Sequence, residues 1–130
     1  MEEGLLQTMR EILFRGKCIR NGEWVYGFLF ITRKGQYNIK WYDEHFGSSN
    51  TSEVYPESVG QYTGLNCGIE KLFEGDIIKG KVNVIGGYRV RTGEVKYYID
   101  GFKMKVGDDY KNIPFEFKLI GPAFDSKGEL

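Results

Sequence analysis

The chain has 130 residues, with eighteen basic and eighteen acidic side chains and no net charge. A chain of that size is one domain, or two subdomains sharing a core. It buries roughly two-thirds of the surface it exposes when unfolded, so neither a metal nor a disulfide is needed to hold it together. The zero balance argues against a general duplex binder, which carries a basic excess to displace counterions from phosphates, but it leaves room for a local basic patch.

Nine Tyr, nine Phe, two Trp and eighteen Gly stand against only three Pro. Aromatic side chains suit a pleated, half-buried surface, and glycine supplies the positive φ of tight turns. The composition therefore predicts short strands joined by hairpins. Cys18 and Cys67 are far apart and neither belongs to a CxxC; His45 has no partner at zinc-ligand spacing. Two reduced thiols in a cytoplasmic protein are expected, with no metal and no cofactor. No apolar run is long enough to span a bilayer and no signal peptide opens the chain, so no membrane partner is expected.

In chain order, residues 1–8 read as a tail, and Met9 looks like a second, more natural start. Phe14 to Ile19 leads through Asn21-Gly22 into Trp24–Ile31, a strong hairpin signal. Both faces of that second run are apolar, which predicts a central strand covered on each side. Tyr37 to Tyr42 is a strand, and Asp43 to Ser52 is expected to be an exposed loop holding His45. Glu53-Val54-Tyr55 returns as a short strand, Pro56 to Val59 makes one helical turn, and Gly60 to Leu65 is extended.

The second half continues with a strand from Asp76 to Ile85, bent at Gly80 and turned by Gly86-Gly87. Tyr88–Arg91 is short; Thr92-Gly93 is expected to turn into Glu94–Ile99. Asp100-Gly101 is a second hairpin signal, and Phe102–Val106 and Phe115–Leu119 alternate at period two. Tyr110 to Pro114 reads as a loop. Five short strands at this spacing suggest a closed or partly closed barrel.

Few constellations carry chemistry. Arg89, Arg91, Lys96, Lys103 and Lys105 are interleaved with Tyr88, Tyr97, Tyr98 and Phe102. Cations beside aromatics on strands are how single-stranded nucleic acid is gripped, by phosphate attraction and base stacking. The plainer reading is a solvated cationic face over an aromatic core. Glu74 and Asp76 flank Gly75; two acids are too few for a calcium cage, and an acidic turn is the simpler account. No Gly-Lys-Ser/Thr loop and no Ser-His-Asp or Cys-His set is present, so no catalytic residue, and no small-molecule ligand, is expected.

Four stretches carry a family resemblance: Met9-Arg10-Glu11-Ile12-x-Phe14-Arg15-Gly16, Gly22-Glu23-Trp24-Val25-Tyr26-Gly27, Pro56 through Leu65, and Phe73-Glu74-Gly75-Asp76-Ile77-Ile78. Their order resembles the YopX family of phage and prophage proteins. The chain departs from the family pattern after Leu65, where Asn66 to Lys71 replaces an Asp-x-Asn-Gly-Lys-type turn. The resemblance implies structural roles for Gly60, Gln61, Tyr62, Gly64, Glu74, Gly75 and Asp76, an SH3-like second half, and a place in the cytoplasm of a bacterial host.

The expected architecture is thus mainly β with little helix. After the tail, an N-terminal antiparallel hairpin sheet over residues 9–65 packs on a C-terminal small SH3-like barrel over residues 66–130. The expected function is a non-catalytic interaction module that self-associates or binds a host or phage protein. The alternative is an accessory nucleic-acid-binding protein working through Tyr88, Arg89, Arg91, Lys96, Tyr97, Lys103 and Lys105.

Overall fold

A computed structural model describes residues 11–127; the predicted tail and the Met9 start lie outside the described residues. The chain is mainly β, with two antiparallel sheets and little helix. The first sheet holds β1 (Phe14–Lys17), β2 (Trp24–Ile31), β3 (Tyr37–Asp43), β4 (Ser48–Glu53), β5 (Gly60–Cys67) and β6 (Glu70–Phe73), in the order β4-β3-β2-β1-β5-β6. The second holds β7 (Asp76–Val84), β8 (Gly87–Tyr98), β9 (Gly101–Val106), β10 (Asp109–Lys111) and β11 (Phe117–Pro122), in the order β10-β9-β8-β7-β11. A 3-10 turn at Pro56–Ser58 precedes β5, and a short helix α1 (Ala123–Lys127) follows β11.

The first sheet curls back on itself. Beyond β1, Cys18 bridges to Val54, just past β4, and Tyr55 N–H donates to the Lys17 carbonyl. Ile39, Val54 and Cys18 are buried inside the curl. Glycine is required at Gly16, where a Cβ would lie 2.8 Å from that of Val54. The second sheet wraps a core of Leu72, Ile78, Val95 and Met104, flanked by Val82, Phe102, Ile113 and Leu119. Leu72 belongs to β6, so the first sheet supplies part of the second sheet's core. Such sharing keeps the two halves together, because removing either exposes the other's apolar surface.

Several expectations are corrected. Asp43 to Ser52 is not a loop throughout: Ser48–Glu53 forms β4, which pairs with β3 from Asn38↔Glu53 to Asp43↔Ser48. Apart from Thr51 its composition gives little strand propensity; six paired residues and a solvated edge position make it a strand. β2 is interior to its sheet, yet only one face is covered, and Phe28 is 68% exposed. Thr92-Gly93 is no turn, since β8 runs unbroken across it. Gly93 is there because a Cβ would meet the Lys105 carbonyl oxygen at 2.5 Å. Part of the Tyr110 to Pro114 loop pairs with β9 as β10. At Asn21-Gly22 only Gly22 has positive φ, 71°, so the turn is not type I′. The 99–101 hairpin turns at Ile99, not at Gly101: Ile99 has φ 61°, and Asp100 N–H donates to the Tyr98 carbonyl.

Candidate nucleic-acid interface and the joint between the sheets

The joint is built on one buried ion pair. Arg15 on β1 and Asp76 at the start of β7 meet at 2.7 Å, with side chains 6% and 2% exposed. The guanidinium is centred 4.8 Å from the Trp24 ring and 4.9 Å from the Phe73 ring, so its flat faces are covered by aromatics. The second carboxylate oxygen of Asp76 accepts the Phe73 N–H at 2.8 Å. Burial pushes the Asp76 carboxyl above its usual range, against the opposing pull of Arg15 and the Phe73 N–H. A second pair flanks the first: Asp125 on α1 accepts from Lys17 Nζ at 2.6 Å and from Trp24 Nε1 at 2.9 Å. For Asp125 burial also acts upward, but the Lys17 and Trp24 hydrogen bonds and the Lys17 charge outweigh it and hold the carboxyl low.

An open cleft of about 750 Å³ lies beside this cluster, with Arg15, Trp24, Tyr26, Phe73 and Asp76 in its wall. Arg15 is paired with Asp76 and Lys17 with Asp125, so these charges hold the joint together. Among the described residues, no group of three or more His, Cys, Asp or Glu is placed to hold a metal ion. Glu74 is not paired with Asp76; its N–H donates to the Gln61 carbonyl, tying the turn to β5.

The other residues singled out in the sequence lie on β5 and in the turn before β7. Gly60 pairs with Arg15 and Gln61 with Phe14. Tyr62 packs on Phe73 and bonds Asn66. Gly64 and Gly75 have φ of 89° and 95°, where a side chain is strained. His45 is exposed in the turn between β3 and β4, where its N–H donates to Asp43.

The second sheet has a different character on its outer face, away from Ile78, Val95 and Met104. Strand alternation and register place Lys118 opposite Lys79 and Lys96 opposite Lys103, with Lys81 and Lys105 next along β7 and β9. Six lysines thus share one face. Its strands carry one carboxylate there, Glu94, which pairs with Lys96 at 2.8 Å; Asp100 at the rim reaches Lys103 at 3.5 Å. Tyr88, Tyr98 and Tyr110 stand among them. Lys81 lies over Tyr88 and Lys105 over Tyr110, while Tyr98 and Tyr110 stack at 3.8 Å between centroids. The lysine ammonium groups are donors and point charges for phosphate, and the tyrosine rings are platforms for bases.

The predicted residues divide between the two faces of this sheet. Lys96, Lys103, Lys105 and Tyr88 are on the lysine face. Arg89 and Arg91 pair with Val82 and Gly80 and share their side of the sheet. Tyr97 packs edge-on against Phe102, also on that side. Tyr98 lies on the lysine face, as its place beside Lys96 in the sequence suggested, whereas sequence reading missed Lys79, Lys81, Lys118 and Tyr110. Their signal was period-two spacing, as in Lys79-x-Lys81, but only the register across β11, β7, β8 and β9 shows that they share a face.

Comparison with protein-family models, with curated proteins and with solved structures returns no match. Among the described residues, no helix is long and apolar enough to cross a membrane.

Proposed function

We propose that this chain is a non-catalytic binding module that takes single-stranded nucleic acid across the lysine face of its second sheet. The observation that carries this reading is the alignment of Lys79, Lys81, Lys96, Lys103, Lys105 and Lys118 on one face. Like charges directly opposite on neighbouring strands destabilise a sheet. Lys79↔Lys118 is such a pair, whereas at Lys96↔Lys103 the carboxylates of Glu94 and Asp100 already offset part of the repulsion. A bound polyanion offsets that repulsion and releases its own counterions. The zero net charge of the chain does not weigh against this, because the strands of this face carry six lysines against one carboxylate, Glu94. The resemblance to the YopX family, and the bacterial cytoplasm it implies, belong to the same proposal.

The test is fluorescence anisotropy of a labelled single-stranded oligonucleotide at low and moderate salt. Binding that weakens with salt, and weakens again in a Lys79→Ala, Lys118→Ala double variant, supports the reading. Absence of binding at low salt ends it.

A second reading rests on the first sheet. Tyr26, Phe28 and Phe30 alternate along one face of β2 at 47%, 68% and 42% exposure, and Tyr42 on the same face of β3 is 62% exposed. An aromatic row of this kind is a protein-docking surface, and self-association is the simplest use of it. Sedimentation over a concentration series tests this; a strict monomer at all concentrations, unchanged by Phe28→Ser, removes it.

A further inference from the structure

We infer that the β7–β8 hairpin is an arm that enters the major groove of a duplex, so that the ligand of this chain is a single strand adjoining a duplex. The inference deepens the nucleic-acid reading and rests on it. It starts from a feature the lysine face does not explain: Arg89 and Arg91 project from the opposite side of the sheet.

Residues 83–90 are exposed throughout, so the end of this hairpin stands off the body. The strands remain paired to the tip, through Val82↔Arg89, Asn83↔Tyr88 and Val84↔Gly87. Gly86, with φ 88°, sits where a two-residue type II turn needs a positive value. The arm is therefore a formed ribbon and not a slack loop. From Asn83, where the ribbon leaves the core, to Ile85 it spans roughly 7 Å at the usual strand rise, on the scale of the ~8.5 Å depth of a major groove, whose ~12 Å width admits a two-stranded ribbon.

Its charge is distributed for enclosure. Ile77 through Gly93 contains four cations and no carboxylate. Lys79 and Lys81 lie on one face of the ribbon and Arg89 and Arg91 on the other. A strand lying on a flat sheet needs cations on one side only. A ribbon between two phosphate backbones needs them on both. At the tip Ile85 is fully exposed, with Val84 and Tyr88 at 41% and 57%. Apolar contact with thymine methyls is what such a tip meets in a major groove. Lys79 and Lys81 belong to both surfaces, so a strand leaving the duplex passes directly onto the lysine face.

The experiment compares three DNA probes by anisotropy: a thymine homopolymer strand, a blunt duplex, and the same duplex with a thymine overhang. The overhang probe is expected to bind at least ~10-fold tighter than either part alone, because joined contacts make the second binding step intramolecular. Ile85→Ser with Arg89→Ala, both at exposed positions, should erase that gain and leave single-strand binding unchanged, with an unaltered thermal melt. An overhang probe no tighter than the single strand overturns the arm while the lysine face stands. Failure of every probe overturns both. Anionic phospholipid vesicles serve as the last probe: vesicle binding lost in Ile85→Ser, with duplex binding unaffected, would assign the tip to membranes and also overturn the inference.

Discussion

Arg15 and Asp76 join the two sheets through an ion pair that water scarcely reaches, 2.7 Å long and more than nine-tenths buried on both sides. Its energetics are asymmetric. Removing one partner leaves the other charge buried and uncompensated, at a cost of about 3–5 kcal/mol, whereas replacing both by apolar groups of similar volume is often close to neutral. Asp76→Ala should therefore lower the denaturant midpoint sharply, and Arg15→Met with Asp76→Leu should recover most of the loss. A double variant as unstable as the single one would show that the aromatic cage of Trp24 and Phe73 needs the guanidinium itself.

The two carboxylates of the joint respond to pH in opposite directions. Asp125 is held below the usual aspartate value of 3.8 because the Lys17 and Trp24 hydrogen bonds outweigh burial. Its stabilisation is present above the unfolded value and is lost as pH falls through the folded one. Asp76 is raised, burial outweighing Arg15 and the Phe73 N–H. Its contribution is present below the unfolded value and is lost as pH rises through the folded one. Below about pH 4 the loss from Asp125 belongs to the acid limb of the stability curve, and Asp125→Asn should flatten that limb. Urea midpoints of both proteins at neutral pH and at pH 3 measure this; parallel acid limbs would contradict it.

Much of the architecture could be read from residue order. The alternation of Phe102–Val106, the paired hairpins and the turn before Gly60 all appear. What could not be read depends on partners distant in sequence. β4 is a strand because β3 pairs with it, not because Ser48-Ser49-Asn50-Thr51 prefers one. Gly93 looks like a turn residue, but it marks where β8 meets the Lys105 backbone. The acidic seam at Glu74–Asp76 was visible as a motif, while its partner Arg15 lies about sixty residues earlier. The basic–aromatic set was visible as composition. Its division into a lysine face and an arginine side follows from register, which no single strand carries.

Gly60 is an example of close approach without unusual backbone geometry. A Cβ there would lie 2.0 Å from the Glu74 carbonyl oxygen. Gly60→Ala should push β5 away from the turn into β7 and cost about 1–3 kcal/mol, as overpacking does. Gly101 has open space around its Cβ direction and no positive φ, so Gly101→Ala should stay within about 0.5 kcal/mol of the parent. Thermal melts of the two variants make the comparison, and equal melts would mean that the joint yields.

Ile99 stores strain at the β8–β9 turn. It is β-branched, has φ 61° and is 79% exposed, so little burial offsets the conformation. A residue with a Cβ in that region costs about 1–2 kcal/mol. Ile99→Gly should therefore raise stability by about 1 kcal/mol, while Ile99→Ala keeps the penalty and gains little. A glycine variant less stable than the alanine one would show that the side chain is held by something other than the turn.

Salt dependence separates charge from stacking on the lysine face. Each phosphate neutralised on a single strand contributes about 0.7 to the slope of log K against log salt. Lys79→Ala and Lys118→Ala should each reduce that slope by about 0.7, because neither side chain is paired with a carboxylate among the described residues. Lys96→Ala should reduce it less, since Glu94 already neutralises that ammonium at 2.8 Å. The stacked pair Tyr98 and Tyr110 acts differently. Tyr98→Ala should lower affinity by about 1–3 kcal/mol at every salt concentration and leave the slope unchanged, because ring–base stacking moves no counterions. Anisotropy titrations at four salt concentrations separate the two effects; a slope that falls equally for Lys96, Lys118 and Tyr98 variants would mean that the oligonucleotide does not lie on this face.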